Sequence, residues 1–252
     1  DHQVSRFHGL TYLGIRDKIR VESASLNDFR SVLQVIKNEH PNEIYNLAGQ
    51  SSVGLSFHQP VETFESISIA NLNLLEAIRF LEMPIRYYNA GSSECFGNTN
   101  GRPASETTPF HPRSPYAVAK AAAIWQVANY REAYNLFACS GLLFNHESPL
   151  RPDRFVTSKI VKSACRIANG HKETLRLGNT TVERDWGWAP EYVQAMWLML
   201  QQDDPGDFVI ATGETNSLAS FADAVFSCLG LDWRKHTEHD DSLLRASDLL
   251  SI

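Results

Sequence analysis

Tyr116 and Lys120 stand four residues apart in the run Ser114-Pro115-Tyr116-Ala117-Val118-Ala119-Lys120, a spacing that puts both side chains on one face of a helix. An ammonium beside a phenol favours the phenolate, so the pair predicts a tyrosine acting as a base below its ordinary range. Upstream, Ala90-Gly91-Ser92-Ser93-Glu94 ends an apolar run, which places a hydroxyl (Ser92) and a carboxylate (Glu94) at a strand's carboxyl end. Ligands of open α/β sheets sit there. Ser92 is cast to polarise a substrate oxygen, Tyr116 to move its proton, and Lys120 to hold a cofactor ribose and lower the phenol pKa.

The elements that must position these groups alternate. Strands are predicted at Ile19–Glu22, Glu43–Ala48, Arg86–Gly91, Phe137–Phe144 and Asp207–Thr212. Helices are predicted at Asn27–Glu39, Glu62–Leu81, Tyr116–Tyr134, Val156–Asn169, Pro190–Gln201 and Ser217–Leu229. The order implies an α/β fold, a Rossmann-like parallel sheet flanked by helices. Pro190 fits a first helical turn, and Gly170 fits a helix C-cap. Val193, Met196, Trp197 and Leu200 fall at helical spacing and are expected to form one buried stripe.

At 252 residues and 43% hydrophobic content, the chain has enough apolar surface for a core without metal or disulfide support. Its net charge of −6 argues against nucleic acid as a partner, though a few converging arginines still suit a small polyanion. No apolar run is long enough to span a bilayer and the N-terminus does not read as a signal peptide, so a cytoplasmic location is expected. The four cysteines, Cys95, Cys139, Cys165 and Cys228, include no CxxC pair and are expected to be reduced and mostly buried.

Several strings carry a resemblance: Tyr45-Asn46-Leu47-Ala48-Gly49-Gln50-Ser51, Ser92-Ser93-Glu94-Cys95-Phe96-Gly97, Phe144-Asn145-His146-Glu147-Ser148-Pro149 and Arg184-Asp185-Trp186-Gly187. In shared order and spacing, from about Leu13 onward, the chain resembles the GDP-mannose 4,6-dehydratase family of the extended short-chain dehydrogenase/reductases. The resemblance implies a hydro-lyase acting on GDP-mannose with internally recycled NADP, NAD not being excluded. It implies Ser92, Glu94, Tyr116 and Lys120 as catalytic residues, with Glu94 the extra base that a 4-epimerase does not need. Toward the cofactor it implies Leu26, Leu47, Ala48, Gly49, Gln50, Ser51, His146 and Arg151 beside Tyr116 and Lys120. Toward the sugar nucleotide it implies Asn145, Lys159, Arg184, Arg245 and Asp248. No metal is expected, and a homo-oligomer is.

Three departures qualify the match. Ser25 stands where the family has Asp, Trp188 stands where it has His, and the sequence contains no GxxGxxG. The expectation is that the N-terminal βαβ unit is missing. Residues 1–145 then form a partial dinucleotide-binding domain. Residues 146–252 form a smaller, mainly substrate-binding α/β region with segments returning to the first. Two other readings stand beside this one: another nucleotide-sugar dehydratase or epimerase, and a sugar-nucleotide-binding chain without catalysis.

Overall fold

The computed structural model describes residues 7–99 and 101–244. Its helices are α1 (His8–Tyr12), α2 (Phe29–Glu39), α3 (Val53–Ser56), α4 (Pro60–Phe64), α5 (Ala70–Leu81), α6 (Pro115–Tyr134), α7 (Val156–Ala168), α8 (Ala189–Leu200) and α9 (Leu218–Ser227). The strands are β1 (Glu43–Asn46), β2 (Arg86–Ala90), β3 (Ala138–Leu143), β4 (Asn145–Glu147), β5 (Leu175–Leu177), β6 (Glu183–Trp188), β7 (Phe208–Ile210), β8 (Thr215–Ser217) and β9 (Thr237–His239).

β1, β2, β3 and β7 pair in that order as a parallel sheet, in the register Glu43 to Arg86, Tyr87 to Ala138 and Gly141 to Phe208. α2 and α5 cover one face, where Val32, Ile36, Leu75, Ile78 and Tyr87 form a core cluster. α8 covers the other through Tyr192, Met196, Met199 and Leu200, packed on Tyr88 and Cys139. A second layer joins β4 to β6 and β6 to β8, while β5 pairs with β9. There α7 and α9 close a separate cluster through Ile160, Leu175, Leu218 and Phe226.

Local chemistry accounts for the helix ends. Asp28 and Ser114 cap α2 and α6 by accepting from Arg30 N (3.1 Å) and Ala117 N (3.1 Å), and Pro115 and Pro190 occupy first turns. Gly170 takes φ +86° just after α7, a conformation other residues adopt at a cost.

The structure corrects several expectations. Ile19–Glu22 is not a strand, because no described segment pairs with it; β1 is the edge of its sheet. Glu62–Leu81 is not one α-helix, since a π-helical turn at Glu65–Ile69 separates α4 from α5. The α8 stripe is only half buried. Met196 and Leu200 are in the core, but Val193 and Trp197 are 58% and 52% exposed, and Tyr192 and Met199 take the inner positions instead. Of the cysteines, Cys95 and Cys139 are buried, whereas Cys165 and Cys228 are exposed. The three-residue strands β4, β5, β8 and β9 had no hydrophobic period to reveal them. Among the described residues, no helix is long and apolar enough to cross a membrane.

Candidate active site

The carboxyl ends of β2 and β3 open into a cleft of about 680 Å³ whose far wall is built from β4, α7 and the start of β6. Ser92, Glu94, Tyr116 and Lys120 all line it. Ser92 leaves β2 in extended backbone and caps the short turn Ser93–Cys95, its Oγ accepting from Glu94 N at 3.3 Å. Glu94, in that turn, lines the cleft beside the strand end. Tyr116 arrives from the first turn of α6, fixed by the Ser114 cap, and Lys120 follows one turn later.

The electrostatics differ from the sequence expectation. Lys120 lies 5.9 Å from the Tyr116 ring centroid and donates to Ala90 O at 2.7 Å. Burial pulls the lysine down to about 8 and pushes the Tyr116 phenol up. Ser92 opposes the rise at Tyr116; the ammonium, held by the strand end, is not what sets the phenol here.

On the opposite wall, His146 Nδ1 meets Phe144 O at 2.9 Å, and burial keeps the imidazole below its ordinary range. Arg151 stacks on Phe155, its guanidinium carbon 3.6 Å from the ring centroid. Its Nε lies 3.1 Å from Glu147 Oε2, an oxygen that also accepts from Thr157 at 2.8 Å. Asn145, Lys159 and Arg184 line the same wall; Lys159 Nζ donates to Arg176 O (2.7 Å) and Arg184 Nη1 to Glu183 O (2.7 Å). Among the described residues that line the cleft, cations outnumber carboxylates: Lys120, Arg151, Arg154, Lys159, Arg176 and Arg184 against Glu94 and Glu147. A mildly acidic chain thus gathers positive charge around one cleft, which suits an anionic ligand.

Leu47 and Ser51 also line the cleft, and Arg154 Nη2 reaches Ser51 Oγ at 3.4 Å. Leu26, Ala48, Gly49 and Gln50 do not line it. Leu26 packs on the α2–α5 cluster and gives its carbonyl to Asn73 Nδ2 (2.8 Å), and Gln50 N donates to Ser66 Oγ (3.2 Å) in the π turn. Arg245 and Asp248 fall outside the described residues. Sequence reasoning gave no role to Glu147, Arg154, Thr157 or Arg176. The i,i+4 spacing of Glu147 and Arg151 could have pointed to Glu147; the others carry no local pattern.

A family model described as GDP-mannose 4,6 dehydratase matches residues 2–249. The chain belongs to that family. It is 50% identical over 227 residues to GDP-mannose 4,6 dehydratase 1 of Arabidopsis thaliana, covering 88% of this chain and 62% of that protein. To the GDP-mannose 4,6-dehydratase of Sinorhizobium fredii it is 49% identical over 208 residues, covering 82% of this chain and 59% of the relative. The chain spans about three-fifths of the length of the curated relatives it matches. Among solved structures, Thermus thermophilus UDP-glucose 4-epimerase in complex with NAD superposes with a TM-score of 0.79 at 26% identity, covering 90% of this chain and 73% of that one. A dTDP-glucose 4,6-dehydratase from Streptomyces venezuelae, a double mutant, gives 0.85 at 18% identity over 96% and 72% of the two chains, a likeness of fold. In this chain Ser93 and Glu94 line the cleft, as do Arg184 and Trp186 of the β6 sequence Arg184-Asp185-Trp186-Gly187.

Proposed function

We propose that this chain carries the catalytic centre of a hydro-lyase that converts GDP-D-mannose to GDP-4-dehydro-6-deoxy-D-mannose and water. One observation carries the reading: Glu94 shares a cleft with the Ser92–Tyr116–Lys120 set, so a second base stands beside the proton-shuttling phenol. A reaction confined to C4 needs only the phenol. Removing water across C5 and C6 needs both.

The residues present fit the nicotinamide end of a dinucleotide. Gly91 and Ser92 at the strand end, with Tyr116, Lys120 and His146, border the same cleft, and these donors suit a ribose and a carboxamide. No GxxGxxG turn occurs in the sequence to grip a pyrophosphate. Lys120 and Tyr116 would hold the ribose, with His146 and Arg151 on the far side; NADP is the proposed cofactor. When bound, it accepts hydride from C4 and returns hydride at C6.

The protein's own groups do the rest. Tyr116 takes the O4 proton as the 4-ketone forms and lies in reach of Ser92, which holds that oxygen in place. The ketone acidifies C5–H, and Glu94 removes that proton. The C6 hydroxyl leaves as water with a proton delivered from Glu94 or Ser92. Hydride addition at C6 requires a proton at C5, and Tyr116 gives back there, directly or through a cleft hydroxyl, the proton it took from O4, so both bases end as they began and the 4-ketone survives as product. Lys159 and Arg184 neutralise the diphosphate, and Asn145 binds beside them.

The test is incubation of the chain with GDP-mannose and NADP, in parallel with NAD, followed by mass spectrometry and proton NMR of the nucleotide sugar. A product lighter by one water, with a 6-methyl resonance, is expected. A product of unchanged mass with inverted C4 would mean an epimerase, and tight binding without turnover would mean a non-catalytic chain.

A further inference from the structure

The glycine of Arg184-Asp185-Trp186-Gly187 has a steric cause that leads to a residue without an assigned role. Gly187 pairs directly with His146 across the β4–β6 ladder. A Cβ on Gly187 would overlap Cε2 of Tyr192 and stand 2.9 Å from its Cζ. The missing side chain therefore leaves a slot, and the Tyr192 ring fills it from the first turns of α8. In that slot Tyr192 is 3% exposed and stacks on the His146 imidazole, with centroids 4.6 Å apart and planes at 22°.

We infer that Tyr192 is a positioning residue for His146, its ring in the Gly187 slot fixing the plane and tautomer that the imidazole presents to the cleft. Three contacts define the histidine. A carbonyl can only accept, so the 2.9 Å contact with Phe144 O makes Nδ1 the protonated nitrogen and Nε2 an acceptor. Stacking on Tyr192 stops the ring from swinging out of the plane in which that bond is made. The third is charge: Arg151 disfavours a second proton on the imidazole, while Glu147 favours one. The Tyr192 hydroxyl contributes little to this arrangement, since its buried Oη has no hydrogen-bond partner among the described residues. The ring face does the positioning, which separates the role from ordinary hydroxyl chemistry. What His146 then touches rests on the cofactor side assigned above; how it is held does not.

The experiment reads the imidazole itself. Long-range nitrogen–proton NMR of the full 252-residue chain, with the His146 signals assigned by their loss in His146→Gln, reports which nitrogen carries the proton. The wild type and Tyr192→Phe are expected to show the Nδ1-protonated tautomer alone, and Tyr192→Leu a mixture. NADP affinity by calorimetry should fall about tenfold in Tyr192→Leu, the scale of one lost aromatic pair, and should recover in Tyr192→Phe. Wild-type tautomer and affinity in a folded Tyr192→Leu would reduce Tyr192 to core packing and overturn the inference. Should that variant not fold, Gly187→Ala presses on the ring from the opposite side, and an unchanged imidazole there overturns it equally. If the wild type lacks dehydratase activity yet the tautomer mixes in Tyr192→Leu, the proposed function falls and the role of Tyr192 stands.

Discussion

Lys120 Nζ donates to the Ala90 carbonyl at 2.7 Å, tying the catalytic helix to the last residue of β2. The bond satisfies an ammonium that is 8% exposed and supplies a donor to a carbonyl at the strand end. It also keeps the charge off the phenol, which burial holds in its neutral form. Tyr116 is therefore poised as a proton donor. Its proposed role as base toward O4 requires that the phenol first give up this proton.

Burial of Lys120 has a signature in stability. Its folded value, about 8, lies below the ordinary lysine range. Below about pH 8 both folded and unfolded chains carry the proton, and burying the charge costs its full amount. Between there and roughly pH 10.4 the unfolded chain binds a proton that the folded chain does not, so folding stability rises with pH. Lys120→Met lacks this slope. Wild type should gain on the variant across that window by on the order of 3 kcal/mol. Urea unfolding of both proteins at matched pH values checks it, and a constant difference between them would refute the buried-charge account.

The two bases separate by what each variant retains. Glu94→Gln and Tyr116→Phe should each lower turnover by about 10²–10⁴-fold, the contribution of one positioned acid or base. GDP-mannose affinity by calorimetry should stay near wild type, because Lys159 and Arg184, the residues proposed to hold the diphosphate, line the cleft and are left intact. If isotopic exchange at C5 in deuterium oxide persists in Glu94→Gln, that residue is not the C5 base.

How much of this was legible follows from which signals are local. The YxxxK spacing, the Ser92–Glu94 strand end and the four strands of the main sheet are short-range patterns, and each maps to a real element. The strand expected at Ile19–Glu22 rested on composition, whereas a strand exists only where a neighbour pairs with it. Trp197 and Val193 looked like core because apolar spacing marks a face without saying what covers it; Val193 instead borders the cleft. Glu147 and Thr157 meet through the return of α7 onto β4, across a loop whose path no helical or strand period encodes.

Asp207 clamps the last strand of the sheet. Its carboxylate takes Arg131 Nη1 and Nη2 at 3.1 and 2.7 Å and the Ser140 amide at 2.8 Å, so α6, β3 and the start of β7 meet on one side chain. The pair is only about one-fifth exposed, at 19% and 21%. Asp207→Asn leaves the guanidinium without its counter-charge and should destabilise by roughly 2–4 kcal/mol. A thermal shift checks the size. The loss should shrink in Arg131→Met/Asp207→Asn, because no half-buried charge is then left unpaired.

Gly97 ends the Ser92-Ser93-Glu94-Cys95-Phe96-Gly97 run with φ +64°, and a Cβ there would collide with His111 O and lie 3.0 Å from His111 C. The obstruction is backbone. His111 N in turn donates to Cys95 O at 2.8 Å, so the two segments are laced together directly behind Glu94. Gly97→Ala combines a left-handed backbone with a clash that no rotamer relieves. It should cost more than about 2 kcal/mol, and relaxation would move the Ser93–Cys95 turn with it. Activity should therefore fall further than the unfolded fraction explains. Gly101, at φ +73° and with no described atom within 4 Å of where a Cβ would stand, is the control: Gly101→Ala carries the strain alone and should leave turnover unchanged. Equal effects of the two substitutions on kcat would show that the His111 contact does not hold Glu94 in place.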